Sequence, residues 1–294
     1  MKFVTAVCFS LILISACSDD EGPSSPSVGP DATVDATAAP DSAVDAAGED
    51  LATVANLTPS PDTSEPSCPA ATSEVIVFET EDGVELEADL HTTGLAGSPA
   101  VVLLHMIPPS NDRSNYPLSF REQLNEAGFT VLNVDRRGAG GSGGQAADAY
   151  LGPNGKLDAA AAVSALAALP CPPDLARLAI IGASNGTTTA LDYTLHAALS
   201  GDEIAVPRAL VFLTGGSYTE NQNPVSALLE TSGLEALSIL FLYPQDEATW
   251  SEGFKSGSAN WTHSAYEESG HGTQLFDSAP SAMTEVTEWL TSRL

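Results

Sequence analysis

The sequence contains few basic residues. Its 294 residues include 10 Lys and Arg against 39 Asp and Glu, which gives a formal net charge of −29 at pH 7. A surface of that sign repels phosphate backbones, and no basic patch with interleaved aromatic residues occurs in the chain. Nucleic acids are therefore excluded as expected partners.

The sequence also lacks the patterns that hold metal ions and nucleotides. No group of His, Cys, Asp and Glu residues has the spacing of metal ligands. The glycine-rich stretch at 138–144 has no Gly-Lys-Ser or Gly-Lys-Thr ending, so a phosphate-binding loop is disfavoured. We therefore expect neither a metal nor a cofactor.

Long apolar runs are absent as well. The first run follows Lys2, extends from Phe3 to Ile14 and is too short to span a bilayer, which is typical of a secretory signal. Residues 14–17, Ile-Ser-Ala-Cys, resemble the lipobox of bacterial lipoproteins. The resemblance implies a signal peptide at 1–17, lipidation of Cys17 and export of the remaining chain. An ordinary secretory cleavage site beside an unmodified Cys17 is the alternative.

The segment after this signal has scarcely an aromatic residue and no periodic apolar face. Residues 18–70 are mainly Ala, Asp, Ser, Thr and Pro, with eleven acidic residues and no Lys or Arg. Such a composition does not bury enough surface to offset its ordering entropy, so we expect a disordered acidic linker. In lipoproteins an Asp directly after the lipidated cysteine often marks inner-membrane retention. Ser18 occupies that position, which favours the outer membrane or the cell surface.

Residues 71–294 have the pattern of one α/β domain. Residues 73–80 and 85–92 alternate in part between apolar and polar positions around a Gly turn, which predicts a β-hairpin. Later apolar runs are short and nearly continuous, as in buried parallel strands, and they alternate with segments of helical periodicity. This alternation predicts a doubly wound, mostly parallel sheet. The further predicted strands are 100–105, 130–135, 178–182, 210–214 and 238–243, and the predicted helices are 117–127, 155–169, 185–199 and 281–294.

A Gly-x-Ser-x-Gly motif follows one of these predicted strands. It reads Gly182-Ala183-Ser184-Asn185-Gly186 and precedes a segment of helical pattern. Strand, turn and helix form the context of a nucleophile elbow, in which small flanking residues permit a sharp turn that exposes the hydroxyl. The next backbone N–H then points to where the substrate oxyanion forms. The motif therefore predicts that Ser184 is a nucleophile.

On these residues the chain resembles the α/β-hydrolase family over nearly all of residues 73–294. The family's chain order of nucleophile, acid and histidine implies Ser184, Asp246 and His271 as a catalytic triad. A serine hydroxyl is a weak nucleophile until an imidazole takes its proton, and a carboxylate fixes the tautomer of that imidazole. Glu247, which adjoins Asp246, and Glu220, after the preceding strand, are the alternatives for the acid.

The resemblance also implies an oxyanion hole. His105 ends a predicted strand at the position of the family's His-Gly dipeptide, and Met106 replaces the glycine that donates a backbone N–H. Met106 and Asn185 are thus the two expected donors. Residues 135–142 resemble the family's Asp-x-Arg-Gly-x-Gly-x-Ser loop. We expect this loop to be a structural rim that Asp135 anchors by pairing with one of the loop's arginines.

Two cysteines remain after the signal. Cys68 lies at the edge of the predicted domain, and Cys171 precedes the nucleophile strand. In an oxidising compartment they can form a disulfide, and two unpaired thiols are the alternative. Because Cys171 precedes its strand, a disulfide would lie opposite the active site and would affect only stability.

Together these residues predict a serine hydrolase that cleaves small carboxylic esters and contacts a membrane only through its lipid anchor. The stretch between Thr214 and Ser238 accommodates a loop and one helix, so we expect no cap domain and a preference for short, soluble acyl esters. The alternatives are a serine peptidase, a dienelactone-hydrolase-like enzyme and a catalytically silent surface binding module.

Overall fold

The computed structural model describes residues 68–201, 204–216, 223–268 and 270–294, which belong to one compact unit. The predicted signal peptide with Cys17, the predicted linker up to residue 67, and Glu220 lie outside the described residues. Within the described ranges, no helix is long and apolar enough to cross a bilayer.

One eight-stranded sheet forms the centre of the domain. Its strands are β1 (Ser73–Glu79), β2 (Glu85–His91), β3 (Ala100–Leu104), β4 (Thr130–Val134), β5 (Leu178–Ala183), β6 (Ala209–Leu213), β7 (Ser238–Pro244) and β8 (Trp261–Tyr266). They are arranged in the order β1-β2-β4-β3-β5-β6-β7-β8. Strand β2 is antiparallel to both of its neighbours, β1 and β4, and the other neighbouring strands are parallel. The predicted hairpin and the mostly parallel sheet are therefore confirmed.

Helices cover both faces of this sheet. They are α1 (Leu118–Glu126), α2 (Gly155–Ala167), α3 (Asn185–Leu199), α4 (Ala227–Glu230), α5 (Thr249–Glu252), α6 (Leu275–Ser278) and α7 (Ser281–Thr291). Val102 and Leu104 of β3 share a buried cluster with residues of α2 and α3. Val101 and Leu103 belong to a second cluster with α1 and α7. Because successive strand residues point to opposite faces, a continuous apolar run is what a sheet covered on both sides requires.

Cys68 and Cys171 are joined by a disulfide, with their Cα atoms 5.5 Å apart. Cys171 lies between α2 and the start of β5, whereas Ser184 directly follows the end of the same strand. The disulfide and the nucleophile motif are therefore at opposite ends of β5.

Little secondary structure is described in the connection between β6 and β7. This connection comprises residues 214–237, and within its described residues, 214–216 and 223–237, the only helix is the single turn of α4. The carboxyl ends of β5, β6 and β7 lie at one edge of the sheet, because the three strands are parallel. In open α/β sheets this edge is where ligands bind.

Candidate active site

Ser184 occupies a strained turn between β5 and α3. Its backbone has φ 50° and ψ −122°, a conformation that costs roughly 1–3 kcal/mol for a residue with a side chain. A Cβ on Gly182 would lie 2.5 Å from the Gly186 carbonyl oxygen, and a Cβ on Gly186 would overlap the carbonyl oxygen of Leu104. Only glycine fits at these two positions, so the local sequence produces the nucleophile elbow that the motif predicts.

The Ser184 side chain belongs to a chain of two hydrogen bonds. Its hydroxyl donates to Nε2 of His271 over 2.6 Å, and Nδ1–H of His271 donates to Oε2 of Glu247 over 2.7 Å. The side chains of His271 and Glu247 are 34% and 30% exposed, so the imidazole is open to a substrate on one side. This arrangement can remove the hydroxyl proton of Ser184 and stabilise the imidazolium that results.

The carboxylate on His271 belongs to Glu247, whereas the family resemblance implied Asp246 first. Strand β7 continues to Pro244, and a single 3-10 turn follows at Gln245–Glu247. Glu247 is the last residue of this turn, and its Oε2 is the carboxylate oxygen bonded to Nδ1 of His271. Asp246 is exposed and lines an open cleft of about 710 Å³ together with Glu247 and His271. In this geometry Glu247, one of the alternatives, is bonded to Nδ1 of His271 where Asp246 was expected.

Thr214 fixes the loop that carries His271. It follows β6 with a φ of 52°, which is rare for a β-branched residue, and its Oγ1 accepts the N–H of Gly272 over 3.0 Å. On the other side of the loop, a Cβ on Gly272 would lie 2.8 Å from Sδ of Met106. The histidine loop is thus held between β6 and the segment after β3. Sequence reasoning missed this role of Thr214, because no motif marks it.

The two expected oxyanion donors lie on adjacent segments. Met106 follows β3, and Asn185 is the first residue of α3. The carbonyl oxygens of Leu104 and His105 are so close to Gly186 that a Cβ there would overlap both. The structure therefore brings together the segments that carry the two N–H groups.

His105 is a buried structural residue within this arrangement. Its Nδ1–H donates to the Met106 carbonyl oxygen over 2.7 Å, and its Nε2 accepts the backbone N–H of Arg136 over 2.9 Å. Burial, with the positive charge of Arg136 as a second cause, lowers the pKa of His105 from 6.5 to about 3. The ring is therefore neutral at physiological pH and holds the chain after β3 in place.

Asp135 anchors the predicted rim loop, but it pairs with a different arginine from the one expected. It accepts the N–H of Gly141 over 2.8 Å, and its carboxylate forms an ion pair with Arg113. Neither Arg136 nor Arg137 of the loop provides this pair. Arg113 comes from the segment before α1, which is too distant in sequence for the motif to indicate.

Among the described residues, no group of three His, Cys, Asp or Glu side chains could hold a metal ion.

Comparison with known proteins gives structural similarity without close sequence similarity. No family model and no curated protein matches the sequence. An esterase of Pyrococcus furiosus superposes with a TM-score of 0.56 at 18% identity, over 76% of this chain and 92% of the esterase. An α/β hydrolase from a Penicillium species superposes with a TM-score of 0.56 at 14% identity, over 76% of this chain and 99% of the Penicillium chain. 2,6-Dihydroxy-pseudo-oxynicotine hydrolase superposes with a TM-score of 0.56 at 13% identity, over 76% of this chain and 68% of that hydrolase. The strand order, the elbow at Ser184 and these similarities together identify the α/β-hydrolase fold.

Proposed function

We propose that this protein is a serine hydrolase that cleaves small carboxylic esters through an acyl-enzyme intermediate. The observation that carries the proposal is the hydrogen-bonded chain from Ser184 through His271 to Glu247, on a strained elbow at the carboxyl edge of the sheet. The esterases among the structures of the same fold support the reaction class.

The reaction proceeds in two halves. Ser184 Oγ attacks the ester carbonyl while Nε2 of His271 takes the hydroxyl proton, and Glu247 stabilises the imidazolium. The backbone N–H groups of Met106 and Asn185 bind the oxyanion of the tetrahedral intermediate. His271 then protonates the leaving alkoxide, and the alcohol departs. In the second half a water molecule, deprotonated by His271, attacks the acyl-enzyme and releases the carboxylic acid and free Ser184.

The size of the acyl group follows from the surroundings of the site. The described part of the connection between β6 and β7 contains only the single turn of α4, which is too short for a cap domain. The cleft beside His271 is open and has no enclosing wall of large apolar side chains; its lining residues are Asp246, Glu247, Gly270, His271, Gln274, Asp277 and Ser278. A long acyl chain gains little from such a surface, so binding energy comes from contacts near the scissile carbonyl. Short, soluble esters are therefore the proposed substrates.

The test is a series of p-nitrophenyl esters of rising chain length at fixed detergent concentration. We expect kcat/KM to be highest between acetate and butyrate. Ser184→Ala should lower turnover by at least about a thousand-fold, and the exposed Ser256→Ala should match the wild type. Values that climb to long chains would identify a lipase instead. Faster turnover of matched amides or lactones would favour a peptidase or a lactone hydrolase.

We propose also that the domain is exported and lipid-anchored through Cys17. The sequence Ile14-Ser15-Ala16-Cys17 supports this, although it lies outside the described residues. The disulfide between Cys68 and Cys171 supports export, because disulfides persist in oxidising compartments. Cys17→Ala should release the protein from the membrane fraction, whereas Cys8→Ala, within the same signal, should not. Persistent membrane fractionation of the Cys17 variant would contradict the anchor.

A further inference from the structure

We propose that Arg136 is the positioning residue of the oxyanion hole: its buried guanidinium orients and polarises the peptide group whose N–H, on Met106, binds the oxyanion. This inference rests on the proposed hydrolase function. It assigns a role to a residue at the variable second position of the rim-loop motif, where the motif itself demands no arginine.

The guanidinium of Arg136 lies between the two segments that carry the oxyanion donors. The side chain is fully buried. Its Nη1 donates to the carbonyl oxygens of His105 and Met106, over 3.2 and 3.3 Å. Its Nη2 donates over 2.9 Å to Oδ1 of Asn185, the residue after the nucleophile. The remaining acceptors of Nη2 are the carbonyl oxygen of Ala149 and Oγ1 of Thr189, both at 2.7 Å.

The bond to the His105 carbonyl acts on the Met106 N–H directly. The two groups belong to one planar trans peptide, so they point in opposite directions. A guanidinium fixed on the oxygen side therefore sets the direction in which the N–H points. A charge-assisted hydrogen bond to the oxygen also polarises the peptide and strengthens the N–H as a donor.

The same guanidinium constrains the second donor. Asn185 opens α3, and its side-chain oxygen is held by Nη2 of Arg136, so the start of the helix is tied to the segment after β3. The His105 ring completes the connection, because it bonds the backbone N–H of Arg136 on one side and the Met106 carbonyl on the other. One residue thus links both proposed donors in a buried network.

The charge of Arg136 is not neutralised by a direct partner. No carboxylate of the described residues lies within 4 Å of its guanidinium, whereas Arg137 beside it pairs with Asp158 and Asp82. Burial lowers the pKa of Arg136 to about 10, so the group stays positive at neutral pH. A buried cation without a directly paired carboxylate costs stability, and the more distant Asp158 offsets only part of that cost. Beside an oxyanion hole the same charge favours the transition state.

The experiment compares Arg136→Met, Arg136→Lys and the control Arg208→Met. Arg136→Met removes the hydrogen-bonding guanidinium and its charge at similar side-chain volume. It leaves no carboxylate without its ion-pair partner. Arg136→Lys keeps the positive charge. The control replaces an exposed arginine that directly precedes β6, at the opposite end of the parallel strands from Ser184. For each folded variant, kcat/KM for the acetate ester is measured together with the inhibition constant of a trifluoromethyl ketone, which forms an oxyanion on Ser184. The Kd of a matching ether, which forms no oxyanion, serves as the reference.

We expect Arg136→Met to lower kcat/KM by about ten- to hundred-fold, below the loss that follows removal of a whole oxyanion donor. Binding of the trifluoromethyl ketone should weaken by the same factor, and binding of the ether should not change. Arg136→Lys should recover part of both losses, and Arg208→Met should match the wild type. If the folded Arg136→Met variant kept kcat/KM within about two-fold of wild type, this inference would be overturned and the proposed function would stand. Equal weakening of ketone binding and ether binding would have the same consequence. If Arg136→Met does not fold, the same two comparisons are made with Arg136→Lys: its kcat/KM relative to wild type, and its loss of ketone binding relative to its loss of ether binding. A wild type that hydrolyses no ester would overturn the proposed function as well.

Discussion

At the scale of single residues, His271 is bonded through Nδ1 to the carboxylate of Glu247. Glu247 accepts the Nδ1–H bond at 2.7 Å, so Glu247→Gln should leave the imidazole in a less favourable tautomer and lower kcat by about 10³- to 10⁴-fold. Asp246→Asn, one residue earlier, is the matched control and should change kcat much less. The measurement is kcat for the acetate ester with both variants. A larger loss in Asp246→Asn, or in Glu220→Gln, would move the role of the acid to that residue.

His105 should make stability depend on pH. Its pKa is lowered from 6.5 to about 3 in the native protein, so the unfolded chain binds the proton first as pH falls. The contribution of His105 is fully present above pH 6.5 and is lost at about 1.4 kcal/mol per pH unit on acidification toward pH 3. Denaturant unfolding across this range should give a shallower dependence for His105→Gln than for the wild type. Parallel curves for the two proteins would show that the ring does not titrate as stated.

The site was predictable from sequence only as far as local motifs extend. The Gly-x-Ser-x-Gly turn predicted Ser184, and the family resemblance implied His271. The choice between Asp246 and Glu247 depends on where β7 ends and how the following 3-10 turn is directed, which are tertiary features. Thr214 and Arg136 carry no motif of their own, because their roles come from partners that are distant in sequence.

At the scale of elements, the elbow demands close packing between α3 and the segment after β3. A Cβ on Gly186 would overlap the Leu104 and His105 carbonyl oxygens, so Gly186→Ala should destabilise the domain by about 1–3 kcal/mol and lower kcat by displacing both proposed oxyanion donors. Gly253→Ala meets no atom within 4 Å and serves as the control. Thermal unfolding and kcat of the two variants test this. If Gly186→Ala kept the wild-type unfolding temperature and kcat, the packing of Gly186 against the carbonyl oxygens of Leu104 and His105 would not be as close as stated.

Elements with strong periodicity were well predicted, and short ones were not. The terminal predicted helix 281–294 is observed as α7, Ser281–Thr291, and the predicted strand 238–243 as β7, Ser238–Pro244. The single-turn helices α5 and α6 were not predicted, and the one helix expected between Thr214 and Ser238, observed as α4, was not delimited, because four residues give no measurable helical period. Strand β8 was not delimited either, because its sequence, Trp-Thr-His-Ser-Ala-Tyr, is only partly buried at an edge of the sheet.

At the scale of the whole molecule, the disulfide and the site should act independently. The bridge between Cys68 and Cys171 is at the opposite end of β5 from Ser184. The Cys68→Ser, Cys171→Ser double variant should therefore lose up to about 4.7 kcal/mol of unfolding free energy and keep its kcat/KM while folded. Denaturant unfolding and ester hydrolysis at 25 °C measure the two quantities. A folded double variant with a large loss of kcat/KM would contradict the separation.

The central claim is that Ser184 is the covalent nucleophile of this molecule. The most direct measurement treats the native protein with a fluorophosphonate and locates the added mass by peptide mass spectrometry. We predict one modified peptide that contains Ser184, no labelling of Ser184→Ala, and greatly slowed labelling of His271→Ala, because the hydroxyl then lacks its base. Native protein that stays unlabelled, or that carries the label on another serine, would contradict the claim.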